Sequence, residues 1–204
     1  MPSSTGFDPT HLRERLTEWL AARLGDATDV DITSLDAPTE TGHSSETVMF
    51  DASWTGADGP TTASMVLRTA PGGHTVFPTY DLGMQYQVMQ RVAASSTVPV
   101  PPLRWYEPDP AWIGGEFLVM DRVDGLVPPD RLPYTMQGWL LEATPEQQRE
   151  VQTTGIEVLA QLHAIDWRAA GLDLLDDPTY GTIGLDQQLG FYEHFLEWGR
   201  GDHP

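Results

Sequence analysis

The stretch from residue 48 to residue 68 constrains the fold more than any other part of the sequence. From Val48 to Trp54 every second residue is apolar, in alternation with Met49, Asp51 and Ser53, which is the pattern of a β-strand with one buried face. The turn-forming run TGADGP follows at 55–60, and the apolar run SMVLR at 64–68 predicts a strand that returns alongside the first. We therefore expect this part of the chain to build an antiparallel sheet.

Further elements are predicted on both sides of this hairpin. Asp8-Pro9 combines a helix-capping residue with proline at the first helical position, and the helix it opens is expected to end near Gly25. Its apolar face consists of Leu12, Leu16, Trp19, Leu20 and Leu24. The remaining predictions are a strand at 28–36, a helix at 81–94, an extended proline segment at 98–102, and strands at 103–107 and 115–122.

The character of the sequence changes after Gly125. A proline-rich connection at 126–134 leads to a predicted helix at 145–164, a loop at 173–181 and a helix at 184–199. The fold class expected is α+β, with a sheet-containing lobe at 1–124 and the start of a helical lobe at 125–204. Two main helices have little to bury their apolar faces against, so we expect a truncated chain.

Composition and charge exclude several classes of function. The chain has 30 acidic and 11 basic residues, all of the latter Arg, and its net charge of −19 disfavours nucleic-acid binding. It contains no Cys, which excludes disulfides, iron–sulfur clusters and thiolate zinc sites. The histidines lack metal-ligand spacing, and no apolar run is long enough to cross a membrane. With no secretory signal visible, a cytoplasmic location is expected.

Five blocks of sequence resemble the aminoglycoside phosphotransferase family, and they occur in the order found there. The blocks are GHSSETVMFDA (42–52), MVLRTAP (65–71), DLGMQYQVMQRVAASSTVPVPPLRWYEPDP (81–110), GGEFLVMDRVDG (114–125) and VLAQLHAIDW (158–167). The resemblance is to the branch related to kinase-like domains attached to some acyl-CoA dehydrogenases. It implies a protein-kinase-like fold, ATP or GTP with Mg²⁺ as cofactor, and a small molecule that is phosphorylated on a hydroxyl group.

The resemblance also implies which residues hold the phosphates. The turn formed by Gly42, His43, Ser44 and Ser45 would fold over them and offer backbone N–H groups. An ordinary polar hairpin turn is the alternative. Arg68 stands where kinase-like folds place a lysine, and a guanidinium can grip phosphate oxygens with two hydrogen bonds.

Further implied nucleotide contacts come from the helix at 81–94 and the last strand. Gln85 occupies the position of the glutamate that orients the cation, and it can hydrogen-bond a guanidinium without neutralising it. Met120 would line the adenine pocket, while the C=O of Asp121 and the N–H of Val123 would bind the adenine edge. The alternatives are an exposed helix residue at 85 and, for FLVMDRVDG (117–125), a plain edge strand that enters a turn at Asp124-Gly125.

The sequence lacks the catalytic loop of that family, in which an Asp base is followed five residues later by Asn. The nearest match, His163 with Asp166, has the wrong spacing, so His163 is predicted to be a helix C-terminal residue. No catalytic residue or metal ligand is assigned, and those groups are expected beyond Pro204. The function predicted is therefore the nucleotide-binding part of a phosphotransferase, inactive by itself. A non-catalytic nucleotide-binding or protein-interaction module, including a homodimer, is the alternative.

Overall fold

A five-stranded antiparallel sheet forms the centre of the structure, a computed structural model that describes residues 8–36, 46–70, 77–128 and 132–201. The strands are β1 (Thr28–Asp36), β2 (Glu46–Gly56), β3 (Gly59–Thr69), β4 (Leu103–Glu107) and β5 (Phe117–Asp121). They lie in the order β1-β2-β3-β5-β4, and every neighbouring pair is antiparallel.

The described helices are α1 (Pro9–Leu24), α2 (Leu82–Ser95), α3 (Trp139–Glu142), α4 (Pro145–His163) and α5 (Leu185–Arg200). Short 3₁₀ helices lie at Leu172–Leu175 and Pro178–Tyr180. All the strands precede the helical stretch that begins at α3.

The central hairpin confirms the pattern on which the prediction rested. β2 and β3 pair without a break from Glu46 opposite Thr69 to Gly56 opposite Gly59. Gly59 has a φ of 105°, a conformation that residues with a Cβ rarely adopt, and it closes the two-residue turn. β3 therefore begins at Gly59 rather than at 64, because pairing with β2 extends the strand through polar residues.

Helix α1 covers one face of this sheet, which we call the core face. The predicted side chains Leu12, Leu16, Trp19 and Leu20 are buried against Ile32 and the alternate apolar residues of β2, β3 and β5. The Trp19 ring makes edge contacts with Trp105 and Phe117. Burying a side chain of this size contributes about 1.5–3 kcal/mol, so the core face supplies much of the stability.

The helical stretch is packed far less tightly than the sheet. Helix α4 starts with the predicted cap, since Thr144 and Gln147 each hydrogen-bond the other's backbone N–H, yet it has no buried side chain. It ends at His163, which confirms the prediction for that residue. The stretch contacts α2 and its surroundings through Arg91, which donates to the carbonyl of Gly171, and through the Phe77–Phe195 ring pair.

One predicted element and one alternative were wrong, and one short helix was not predicted. The segment 173–181, expected to be a loop, contains most of the two 3₁₀ helices. Asp177 caps the second of them, because its side chain accepts a hydrogen bond from the Thr179 N–H. Helix α3, one turn long, carries no periodic signal that a sequence window can detect. The stretch 117–121 is not an edge strand, because β5 lies between β3 and β4.

Candidate functional site

The second face of the sheet, opposite the core face, carries two rows of side chains across β2, β3 and β5. The register places Thr47, Arg68 and Leu118 in one row. The second row lies two residues away along each strand and contains Met49, Val66 and Met120. Because side chains in a strand alternate between faces, both rows project away from helix α1.

Helix α2 covers only part of this second face. Leu118 is fully buried, and α2 packs on β4 and β5 there. Met49, Val66 and Met120 are only half-buried and form an apolar ledge. A flat aromatic ring is the kind of group that such a ledge accommodates, because it gains contact area without needing side-chain hydrogen bonds.

Arg68 lies beside the ledge, two residues after Val66 on the same face of β3. Two residues of a strand span about 6–7 Å, so an anionic group attached to a ring on the ledge could reach the guanidinium. A guanidinium can form two parallel hydrogen bonds to phosphate. β1 ends at Asp36 and β2 begins at Glu46, both at this end of the sheet.

Gln85 lies one turn into α2, and its backbone N–H donates to the carbonyl of Asp81 at 3.1 Å. Its side-chain Oε1 is buried and accepts no hydrogen bond from the described part of the chain. No hydrogen bond between Gln85 and Arg68 is present among those residues. A buried acceptor without a donor is costly, and such groups in folded proteins usually have a functional or structural reason.

The segment after β5 leaves main-chain groups at the edge of the ledge. The Asp121 N–H donates to the Pro102 carbonyl at 2.8 Å, and its carboxylate is paired with Arg104 Nε at 2.5 Å. The Arg122 N–H donates to the Ser64 carbonyl at 3.0 Å. Val123 then leaves the sheet, and within the described ranges no group accepts a hydrogen bond from its N–H.

The structure thus places Arg68, Met120 and the 121–123 backbone around one surface, with Gln85 on the adjoining helix. The predicted phosphate turn, Gly42 to Ser45, lies outside the described residues. The ledge residues Met49 and Val66 were missed as site residues, although the strand alternation in the sequence already placed Met49 on the face away from Val48 and Phe50.

A junction that joins Glu116 to helix α2 and strand β4 was also missed. The carboxylate of Glu116 accepts hydrogen bonds from the Leu82 N–H at 3.1 Å and from the Tyr106 hydroxyl. This hydrogen bond and burial raise the pKa of Tyr106 to about 12. Nothing in the local sequence marks Glu116, because its partners are on other elements.

No group of three or more His, Asp or Glu side chains in the described part of the chain is arranged to hold a metal ion. No helix in these ranges combines the length and hydrophobicity that a membrane crossing requires.

Comparison with solved structures identifies the architecture. The chain resembles the crystal structure of a "putative aminoglycoside phosphotransferase" from Ralstonia eutropha, with a TM-score of 0.50 and 23% sequence identity over 84% of this chain. The chain has a protein-kinase-like α+β fold. It covers 42% of that solved chain.

Comparison with curated sequences gives a second relative. Over 109 residues, 53% of this chain, it is 29% identical to the Arabidopsis thaliana protein named "Probable acyl-CoA dehydrogenase IBR3". The chain spans only 12% of the length of that protein. No family model matches the sequence.

Proposed function

We propose that this chain is the nucleotide-binding part of an ATP- or GTP-dependent phosphotransferase that acts on a hydroxyl group of a small molecule. The observation that carries the proposal is the half-buried ledge of Met49, Val66 and Met120 with Arg68 two residues beyond it. The fold of the Ralstonia neighbour supports it, since nucleotide sites of kinase-like folds lie on this part of the sheet.

In this proposal each element has a separate task. The ledge binds the base, and the Asp121 C=O and Val123 N–H bind its polar edge. Arg68 binds the α- and β-phosphates, and the Gln85 Oε1 receives a hydrogen bond once the guanidinium and phosphates are in place. The turn at Gly42, His43, Ser44 and Ser45 completes the phosphate site with its N–H groups.

Mg²⁺ would neutralise phosphate charge when bound with the nucleotide, but no described cluster of this chain fits it as a protein-held ion. The proposal therefore assigns no metal ligand and no catalytic base to these 204 residues. We expect them to bind nucleotide in the cytoplasm without transferring its phosphate.

Titration calorimetry with ATP and with GTP tests the proposal. We expect the wild-type chain to bind one nucleotide per molecule and Arg68→Ala to weaken the affinity about tenfold or more, as expected for loss of a charge-assisted hydrogen bond. Arg149→Ala, on the exposed surface of α4, is the matched control and should bind like wild type. Equal affinities for all three proteins would refute the assignment of Arg68.

A second candidate function, a protein-interaction module that forms a homodimer, is favoured by one observation. Helix α5 exposes a stripe at spacings of four, three and four residues. Its members are Leu185, Leu189, Tyr192 and Leu196. Such a stripe is the seam that a second helix covers in a coiled-coil contact.

Sedimentation of the wild-type chain and of Leu189→Gln tests this second candidate. A homodimer through α5 should dissociate in the variant and strengthen with added salt, because each copy carries a charge of −19. A monomer at every salt concentration would rule out the homodimer.

A further inference from the structure

The carboxylate of Glu116 joins two elements of the proposed nucleotide site. Its Oε1 accepts from the backbone N–H of Leu82, the first residue of α2, at 3.1 Å. This N–H is one of the donors that a helix leaves unsatisfied at its N-terminus, and a negative charge there is also favoured by the helix dipole. Glu116 therefore holds the start of α2 from a neighbouring strand.

The second oxygen of Glu116 is held by Tyr106 on β4. The phenol donates to Oε2, and the Tyr106 ring stacks on Tyr86 of α2, with centroids 5.9 Å apart. Gly83 lets the helix approach this closely, since a Cβ there would lie 2.8 Å from the phenol oxygen. The junction thus clamps the first turn of α2 from two sides.

The same residue is tied to the strand that carries Arg68. The Thr69 hydroxyl donates to the backbone carbonyl of Glu116 at 2.9 Å, and Thr69 follows Arg68 directly. Gln85 belongs to the turn of α2 that starts at Leu82, because its N–H bonds the carbonyl of Asp81. A shift of Glu116 would therefore move the Gln85 side chain relative to β3.

We infer that Glu116 is a positioning residue, whose carboxylate fixes the first turn of α2 and thereby places Gln85 relative to Arg68. The inference rests on the proposed nucleotide site, and it assigns to Glu116 a role that no local sequence signal indicates. Glu116 touches neither the ledge nor the nucleotide in this account. It acts through Leu82 and Tyr106.

The test compares four variants with the wild type by amide hydrogen exchange and by nucleotide titration. Glu116→Met removes both acceptors at similar size, and we expect the amides of Leu82–Tyr86 to exchange about tenfold faster, as for the loss of a helix cap. Its nucleotide affinity should fall several-fold. Glu116→Gln keeps an oxygen for the Leu82 N–H and should restore most of both properties.

Glu157→Gln is the control, because it only removes a charge from the exposed surface of α4, and it should bind like wild type. Tyr106→Phe removes one side of the junction and leaves the bond to Leu82 in place, so its nucleotide affinity should fall by less than that of Glu116→Met. The absorbance titration of Tyr106 gives an independent signature, because its pKa should fall from about 12 toward 10 in both Glu116 variants.

The outcomes separate the two proposals. Unchanged exchange in Glu116→Met overturns the inference, and so does faster exchange with wild-type nucleotide affinity. If the wild-type chain binds no nucleotide, the proposed function fails, and the exchange of the Leu82–Tyr86 amides alone then decides whether Glu116 holds α2. Should Glu116→Met not fold, Glu116→Ser, whose side chain is too short to hold the Leu82 N–H, takes its place with the same expected and contradicting results.

Discussion

The buried side-chain oxygen of Gln85 has a cost to stability that the proposed nucleotide site would explain. Its Oε1 is buried without a donor among the described residues, and an unsatisfied buried acceptor costs about 1–3 kcal/mol. In the proposed site this oxygen gains a partner when nucleotide binds beside Arg68. Residues that break a local rule in this way are expected at functional sites.

Replacing Gln85 by Leu separates these two effects. We expect the free energy of unfolding to stay the same or to rise by about 1 kcal/mol, because the unpaired acceptor is removed, while nucleotide affinity falls several-fold. Urea unfolding and calorimetry measure the two quantities. Gln90→Leu, on an exposed position of the same helix, should leave affinity unchanged. An affinity that is retained in Gln85→Leu would contradict the assignment.

At the scale of elements, the contact between α5 and the 3₁₀ helix Pro178–Tyr180 depends on a glycine. A Cβ on Gly190 would lie 2.1 Å from the backbone carbonyl oxygen of Tyr180, so the helix approaches this backbone as closely as only glycine permits. The Tyr180 ring lies edge-on to Phe191 across the same contact.

Gly190→Ala should therefore destabilise the helical stretch by about 1–3 kcal/mol, since backbone must shift to accommodate the methyl group. Gly199→Ala is the matched control in the same helix. Its Cβ would meet nothing within 4 Å, and alanine should stabilise the helix by about 0.5–1 kcal/mol. Urea unfolding followed by circular dichroism measures both. Equal effects of the two substitutions would contradict this packing argument.

At the scale of the whole molecule, buried carboxylates make stability depend on pH, and Glu107 is one of them. It accepts from Trp19 Nε1 at 3.0 Å, from Arg23 at 2.5 Å and from the Asp109 N–H at 3.0 Å. Burial raises its pKa, but these hydrogen bonds outweigh burial and hold the pKa below its usual value. The carboxylate therefore links α1 to β4 more strongly when it is ionised than when it is protonated.

A group whose folded pKa is lowered stabilises the fold above its unfolded pKa of about 4.5, and this contribution is lost as the pH falls through the folded value. Glu107→Gln should lower the free energy of unfolding by about 1–3 kcal/mol at neutral pH and flatten its decline in acid. Glu14→Gln, exposed on α1, should keep the wild-type slope. The measurement is the free energy of unfolding, obtained by urea unfolding at several pH values from neutral to acidic. If this free energy fell with pH in parallel for wild type and Glu107→Gln, the role of Glu107 would be contradicted.

Much of the fold was predictable because its signals are local. The cap at Asp8, the strand alternation at 48–54 and the capping residues before α4 act within a few residues of one another, and each element they predict is present. The row of Met49, Val66 and Met120 was predictable only in part. Alternation along a strand shows which side chains share a face of that strand, but it does not show which strand lies beside it.

Sheet order and the junctions between elements were decided only by the tertiary structure. Trp19 and Glu107 are 88 positions apart, and Leu82 and Glu116 are 34 apart, so no window of sequence contains both partners. β5 became an inner strand because β4 pairs with its free edge. By itself the sequence determined where helices and strands form and which of their faces are apolar, because periodicity and capping are properties of neighbouring residues. Which strand lies beside β3, and which carboxylate holds α2, depended on contacts that exist only once the chain has folded.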